Sequence, residues 1–232
     1  MSDSLPKKVF GDHVHLAVRT LLSAIPTLGG PALELFNALI GPPLVERRNR
    51  WLNDLADRIY ALENENRLKL EDLATNEQFI STIMNATAAA VRNHQQEKIE
   101  ALQNAVLNCA LGLCHSEVKT PMFLALIDQF TVWHLLILRE FYELDSRVAQ
   151  NNPPKTTFEE ITRVVIEKNG ELRSQQALVQ LIVEELCRKG LLYWGKGLAV
   201  TYTPRGTTQV TSLGREFLSF VSDPQTRTER VL

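Results

Sequence analysis

Residues 14–51 limit most strongly what this chain can fold into. The stretch reads VHLAVRTLLSAIPTLGGPALELFNALIGPPLVERRNRW, and before Glu46 its only fully charged side chains are Arg19 and Glu34. Prolines and glycines at 26–31 interrupt the apolar run, and Gly-Pro-Pro at 41–43 closes it, which predicts two short helices joined by a tight turn. Each uncharged arm has about 11 to 14 residues, whereas a membrane-spanning helix needs about 20. We therefore expect a hairpin that is buried in a helical domain or lies at a membrane interface.

The composition is that of an ordinary soluble globular protein. The chain has 232 residues, of which 44% are hydrophobic and 22% charged, enough for one or two domains with real cores. A formal charge of −2 gives no field that would attract nucleic acid or acidic lipid unaided. The three cysteines, at 109, 114 and 187, lie in apolar helical patterns. An odd number in such positions predicts reduced thiols and a cytoplasmic protein.

A third helix of a different kind is expected to begin at Leu44. Its apolar residues repeat at helical spacing along one face, and charged residues occupy the other face, which is the pattern of an amphipathic helix. The start of this helix is basic. Its candidate interaction residues are Arg47, Arg48, Arg50 and Trp51.

Helical periodicity continues as far as residue 145. Asn76 is expected to begin one helix, and Gly112 is expected to end the next, because asparagine caps helix N-termini and glycine follows C-termini. Thr120 before Pro121 predicts another helix start. His134 lies inside an apolar helix, where a hydrogen-bonded core histidine is the expected state.

The breaker NNPPK at 151–155 predicts a domain boundary. Two helical runs, two strand-like runs around residues 195–197 and a last helix follow it, and this order is typical of a winged helix. The predicted fold class is mainly α, with an N-terminal multi-helix domain followed by a small winged-helix (α+β) domain. The expected divisions are a polar arm at 1–13, the helical domain at 14–150, a linker at 151–155, the winged helix at 156–222 and a tail at 223–232.

A winged helix raises the question of DNA binding. The candidate recognition helix is expected to expose Glu184 and Glu185, which would repel phosphates. Glutamines can nevertheless read adenine, so DNA binding stays an alternative. The candidate nucleic-acid contacts are Gln176, Gln180, Arg188, Lys189, Lys196 and Arg205.

No catalytic, cofactor or metal site is expected. Cys109, Cys114 and His115 are three candidate metal ligands, but a structural zinc site takes four at paired spacings. The sequence contains no phosphate-binding glycine loop, nucleophile elbow or zincin helix. The prediction is a protein without enzymatic activity, cofactor or evident small-molecule substrate.

Three stretches carry a resemblance to a known group of proteins. They are IPTLGGPALELFNALIGPPLVERRNRWLNDLADRI, VRNHQQEKIEALQNAVLNCAL and FLALIDQFTVWHLLILREF. Together they resemble a class of bacterial helical proteins distantly similar to the Abi-alpha proteins of abortive phage infection. The resemblance covers roughly residues 14–145, outside the winged-helix region. It implies a bacterial cytoplasmic protein that acts in phage defence by interaction or by membrane disturbance.

The leading functional hypothesis is therefore a non-enzymatic regulatory or protein-interaction protein, with phage defence as its setting. It would act through a protein partner or through self-association. A winged-helix transcription regulator that binds DNA and an effector that perturbs membrane surfaces are the alternatives.

Overall fold

The computed structural model describes residues 31–151, 158–193 and 210–225, and within these ranges the chain is mainly helical. The mainly α expectation is confirmed there. The described ranges contain no β-strand, only an isolated antiparallel bridge between Leu192 and Val210. The helices in chain order are α1 (Pro31–Asn64), α2 (Leu70–Ala74), α3 (Glu77–Arg92), α4 (Gln96–Ala110), α5 (Lys119–Gln129), α6 (Val132–Asn151), α7 (Phe158–Lys168), α8 (Gln176–Arg188) and α9 (Ser212–Val221), with a 3₁₀ turn at Gly170–Leu172.

Helix α1 continues through Pro42 and Pro43, where the sequence predicted a break. The prediction that a separate helix begins at Leu44 is therefore wrong. Each proline removes one backbone donor from the helix. Gly41 has no Cβ to clash with the ring of Pro42, which removes part of the penalty that proline imposes on the residue before it. The first predicted hairpin arm, at 14–25, lies outside the described residues.

The chain divides into two compact units, Met1–Val45 and Glu46–Leu232. Within the second unit, one hydrophobic cluster contains Leu55 of α1, Phe141 of α6 and Phe217 of α9. Buried residues on both sides of 151–155 thus share a core. A helix breaker ends a helix but does not necessarily end a domain. Independent folding of residues 156–222 stays a prediction.

Helix α4 ends in a turn that brings two cysteines together. Gly112 has a φ of 74°, and the amide of Leu113 donates to the carbonyl of Asn108 at 2.8 Å. This is the hydrogen bonding of a Schellman motif. This reversal places Cys114 in a disulfide with Cys109. The expectation of reduced thiols is therefore wrong for this pair. It rested on the odd number of cysteines and on their apolar helical surroundings, but Cys114 lies in the turn that follows the end of α4 at Ala110.

Helix α9 is fastened to α4 by two asparagines. The side-chain amide of Asn108 donates to the carbonyls of Phe220 and Ser222, both at 2.9 Å, and the amide of Asn104 donates to the carbonyl of Val221 at 3.0 Å. The last carbonyls of a helix lack partners within the helix. These amides supply the missing donors, so α4 fixes the C-terminal end of α9 by polar contacts as well as by packing.

Helices α5 and α6 meet at a sharp bend. Helix α5 begins at Lys119 and its N-cap is Val118, so the predicted cap at Thr120 is wrong. The Thr120 hydroxyl instead donates to the carbonyl of His115 at 3.1 Å.

Among the described helices none is long and apolar enough to span a membrane alone. Helix α5 and the segment 132–144 have that length and composition only as a pair, and the pair is bent by 116°.

Candidate interaction site

Helix α8 presents one face to the core and one to solvent. Its buried side chains, Val179, Ile182, Val183 and Leu186, recur at spacings of three and four residues, which places them on one side of a helix. That side packs against α6 and α7. The opposite side is consequently available to a partner.

The side of α8 that faces away from the core is called the outward stripe and is defined as Ala177, Leu181, Glu184 and Arg188. All of these residues except the half-buried Glu184 are exposed. Leu181 at its centre is 52% exposed. Beyond the helix, Tyr193 is 53% exposed, and its carbonyl accepts from the Cys187 thiol at 3.4 Å. The outward stripe therefore combines an exposed apolar side chain with a single acid and a single base.

The predicted nucleic-acid contacts lie at several places around this surface. Gln176, Gln180 and Arg188 are exposed, and the amide of Gln180 donates to Glu184 at 3.3 Å. Lys189 is also exposed, but its ammonium group donates to Gln129 of α5 at 3.2 Å. Lys196 and Arg205 lie outside the described residues. The structure thus brings the two glutamines and Arg188 onto α8 without forming a basic surface from them.

His134 connects α6 to α8. Its Nε2 lies 3.2 Å from Oε2 of Glu185, and its ring stacks on Phe130 with the centroids 4.7 Å apart. The Thr131 amide donates to Nδ1 at 3.2 Å, so the neutral ring carries its proton on Nε2 and donates it to Glu185. This confirms the predicted hydrogen-bonded core histidine. Glu184 and Glu185 were both expected to be exposed on the reading face. Both are half-buried, and Glu185 faces α6 through its contact with His134.

Burial governs the charge state of this junction. It lowers the pKa of His134, against the hydrogen bond and charge of Glu185, while the charge of Lys98 lowers the pKa further. Burial likewise lowers the pKa of Lys98, whose ammonium group donates to the Asp128 carbonyl at 2.8 Å, against the charge of Asp128. A neutral imidazole is therefore the state that fits the fold near pH 7.

The four interaction residues predicted on α1 do not form one surface. Trp51 is buried, and its indole N–H donates to the Thr87 hydroxyl at 3.0 Å, so it belongs to the core. Arg47 and Arg50 are exposed and Arg48 is half-buried. Arg50 pairs with Glu46 at 2.9 Å across one helical turn, an exposed contact that contributes little to stability.

The described residues also bear on metal sites and on small-molecule sites. Among the described residues, no three His, Cys, Asp or Glu side chains are grouped so that they would hold a metal ion. A cleft of about 270 Å³ lies between α3 and α5, where Glu77 and Glu117 are its charged lining residues. Small-molecule sites usually occupy about 300 to 1,000 Å³, so this cleft lies just below that range.

The sequence interpretation missed Leu181 and Tyr193. Leucine within a helical pattern is normally assigned to the core. The signal was nevertheless present, because Leu181 falls on the helical face opposite Val179, Ile182, Val183 and Leu186.

Comparison with family models, with curated proteins and with solved structures finds no match to this chain. Its function must therefore be inferred from the chemistry of its own residues.

Proposed function

We propose that this chain is a non-enzymatic protein-interaction or regulatory protein whose contact surface includes the outward stripe of α8. The observation that carries the proposal is Leu181, a large apolar side chain that is 52% exposed at the centre of the outward stripe. The cores of protein interfaces are enriched in apolar and aromatic residues and depleted of charge. Leu181 and Tyr193 have that chemistry.

The proposed C-terminal architecture is a winged helix used to bind protein. Helices α7, α8 and α9 follow in the required order, and the antiparallel bridge from Leu192 to Val210 is what the base of a wing requires. A DNA-reading helix needs lysines and arginines to neutralise phosphates. On the outward stripe Arg188 is opposed by Glu184, which favours protein over DNA. The resemblance to Abi-alpha proteins extends the proposal: the protein would be bacterial and cytoplasmic and would act in phage defence.

The test is cross-linking inside the producing cell, comparing the unaltered protein with Leu181→Asp and Tyr193→Asp. Tyr60→Asp is the matched control, since Tyr60 is an exposed aromatic on α1, 41% accessible. We expect a defined protein partner to be cross-linked by the unaltered chain and by the control. Cross-linking to that partner should fall about tenfold or more in each of the two test variants, because truncating an anchor residue of an interface weakens binding by such an amount.

Equal cross-linking by all four proteins would contradict the proposal. Cross-linking mainly to nucleic acid, lost in Leu181→Asp, would replace it with the transcription-regulator alternative. Circular dichroism of each variant establishes that the comparison is between folded proteins.

A further inference from the structure

The Cys109–Cys114 disulfide lies at the contact between α4 and α9. Cys109 is buried at the end of α4, whereas Cys114 is partly exposed in the turn that follows. A reductant in solution therefore reaches the sulfur of Cys114 first. The third cysteine, Cys187, is a free thiol, and burial, with the charge of Glu184, raises its pKa to about 11. It is a poor nucleophile and does not compete in exchange with the pair.

The residues on the two sides of the disulfide both hold α9. Asn108, directly before Cys109, donates to the carbonyls of Phe220 and Ser222. His115, directly after Cys114, lies against Phe220 with ring centroids 5.7 Å apart, and its Nδ1 is 3.8 Å from Oε2 of Glu216. The bond thus closes a loop whose two ends contact the same helix.

We propose that Cys109–Cys114 is a reversible redox latch that sets how firmly α9 is held on α4. In the oxidised protein the closed loop keeps Asn108 and His115 at a fixed separation beneath α9. In the reduced protein the turn keeps its hydrogen bonds, including those that Gln78 and Thr120 donate to the His115 carbonyl at 2.7 and 3.1 Å, but it loses the covalent link to Cys109. The contact of the His115 ring with Phe220 is then released more often. Local opening of a helix end needs far less free energy than global unfolding, so reduction loosens α9 while the rest of the core stays folded.

The chemical step is thiol–disulfide exchange with a dithiol reductant. A thiolate of the reductant attacks Sγ of Cys114, the sulfur–sulfur bond breaks, and Cys109 leaves as a thiolate that takes up a proton. The second thiol of the reductant then attacks the mixed disulfide and releases Cys114. Two electrons and two protons pass to the protein, and the reductant ends as a disulfide.

The test is hydrogen exchange of the full chain, read by mass spectrometry on Ser212–Val221 before and after reduction with dithiothreitol. We expect reduction to speed exchange in α9 about tenfold and to leave Glu77–Arg92 of α3 unchanged. Cys114→Ser should show the fast rate with or without reductant. Cys187→Ser, the matched control, should respond as the unaltered chain does.

An unchanged exchange rate in α9, when the mass shows both thiols reduced, overturns the latch. Equal acceleration in α3 and α9 also overturns it, because the bond would then stabilise the fold generally. If the intact mass of air-oxidised protein shows no disulfide, the proposal fails at its first step. The comparison of oxidised and reduced unaltered protein decides the matter even if Cys114→Ser does not fold.

Discussion

His134 joins two positions that lie 51 residues apart in sequence. Its burial and its need for a hydrogen bond were predictable, because an isolated histidine in an apolar helix must satisfy its ring nitrogens. Its partner was not predictable. A single sequence does not tell which distant carboxylate the fold will bring near, and Glu185 carries the helical spacing of a solvent-facing residue.

The lowered pKa of His134 predicts a loss of stability in mild acid. A group with a pKa lower in the folded than in the unfolded state makes the unfolded state bind more protons. The free energy of unfolding should therefore fall as the pH drops below about 6.5, the usual histidine pKa. Once the pH is below the pKa of His134 in the folded state, His134 should cause no further fall. Protonated Nδ1 also loses its role as acceptor for the Thr131 amide.

His134→Gln isolates this contribution. Glutamine three residues after a capping threonine retains an acceptor for the cap amide but does not titrate. Urea denaturation at several values between pH 5 and pH 8 should show a shallower pH dependence for this variant than for the unaltered protein. His94→Gln, at an exposed position, is the control and should keep the original slope. Equal slopes for all three proteins would show that His134 is not the responsible group.

Helix ends show where local sequence decides structure and where tertiary packing does. The predicted cap at Asn76 is confirmed, because its side chain accepts from the Phe79 amide at 2.9 Å. Gly112 follows α4 as expected. The predictions at Gly-Pro-Pro 41–43 and at Thr120 are wrong. Breaker and capping preferences amount to a few kcal/mol or less per residue, which is small enough for the surrounding fold to override.

The start of α9 depends on a glycine for a different reason. A Cβ at Gly214 would lie 2.2 Å from the carbonyl oxygen of Leu191 and 2.8 Å from Val210 Cγ1. Gly214→Ala should therefore lower the free energy of unfolding by about 1 to 3 kcal/mol, the usual cost of overpacking. Gly170→Ala is the matched control, because nothing lies within 4 Å of its added Cβ.

Urea denaturation of both glycine variants gives the comparison. The free energy of unfolding of Gly170→Ala should lie within about 0.5 kcal/mol of that of the unaltered protein, as is usual for surface substitutions. A Gly214→Ala protein of unchanged stability would mean that α9 does not approach Leu191 as closely as the structure has it.

The protein considered as a whole was predictable in class but not in organisation. Apolar periodicity identified most helices, since each must bury one face. The shared core across 151–155 was hidden, because periodicity shows that a face is buried without showing against what. Leu55 and Phe217 belong to one cluster although they are far apart in sequence. The candidate site was likewise only partly predictable, since Gln176 and Gln180 were placed on α8 correctly but Leu181 was overlooked.

The most direct test of a protein-binding rather than DNA-binding role for α8 is a fluorescence polarisation titration of the full chain against labelled duplexes at physiological salt. The outward stripe carries one basic residue, Arg188, whose charge is opposed by Glu184, so the stripe has no excess positive charge to neutralise phosphates. We therefore predict dissociation constants no tighter than the nonspecific range, about 10⁻⁶ to 10⁻⁴ M, with no preference among sequences. A nanomolar dissociation constant for one duplex would contradict the account.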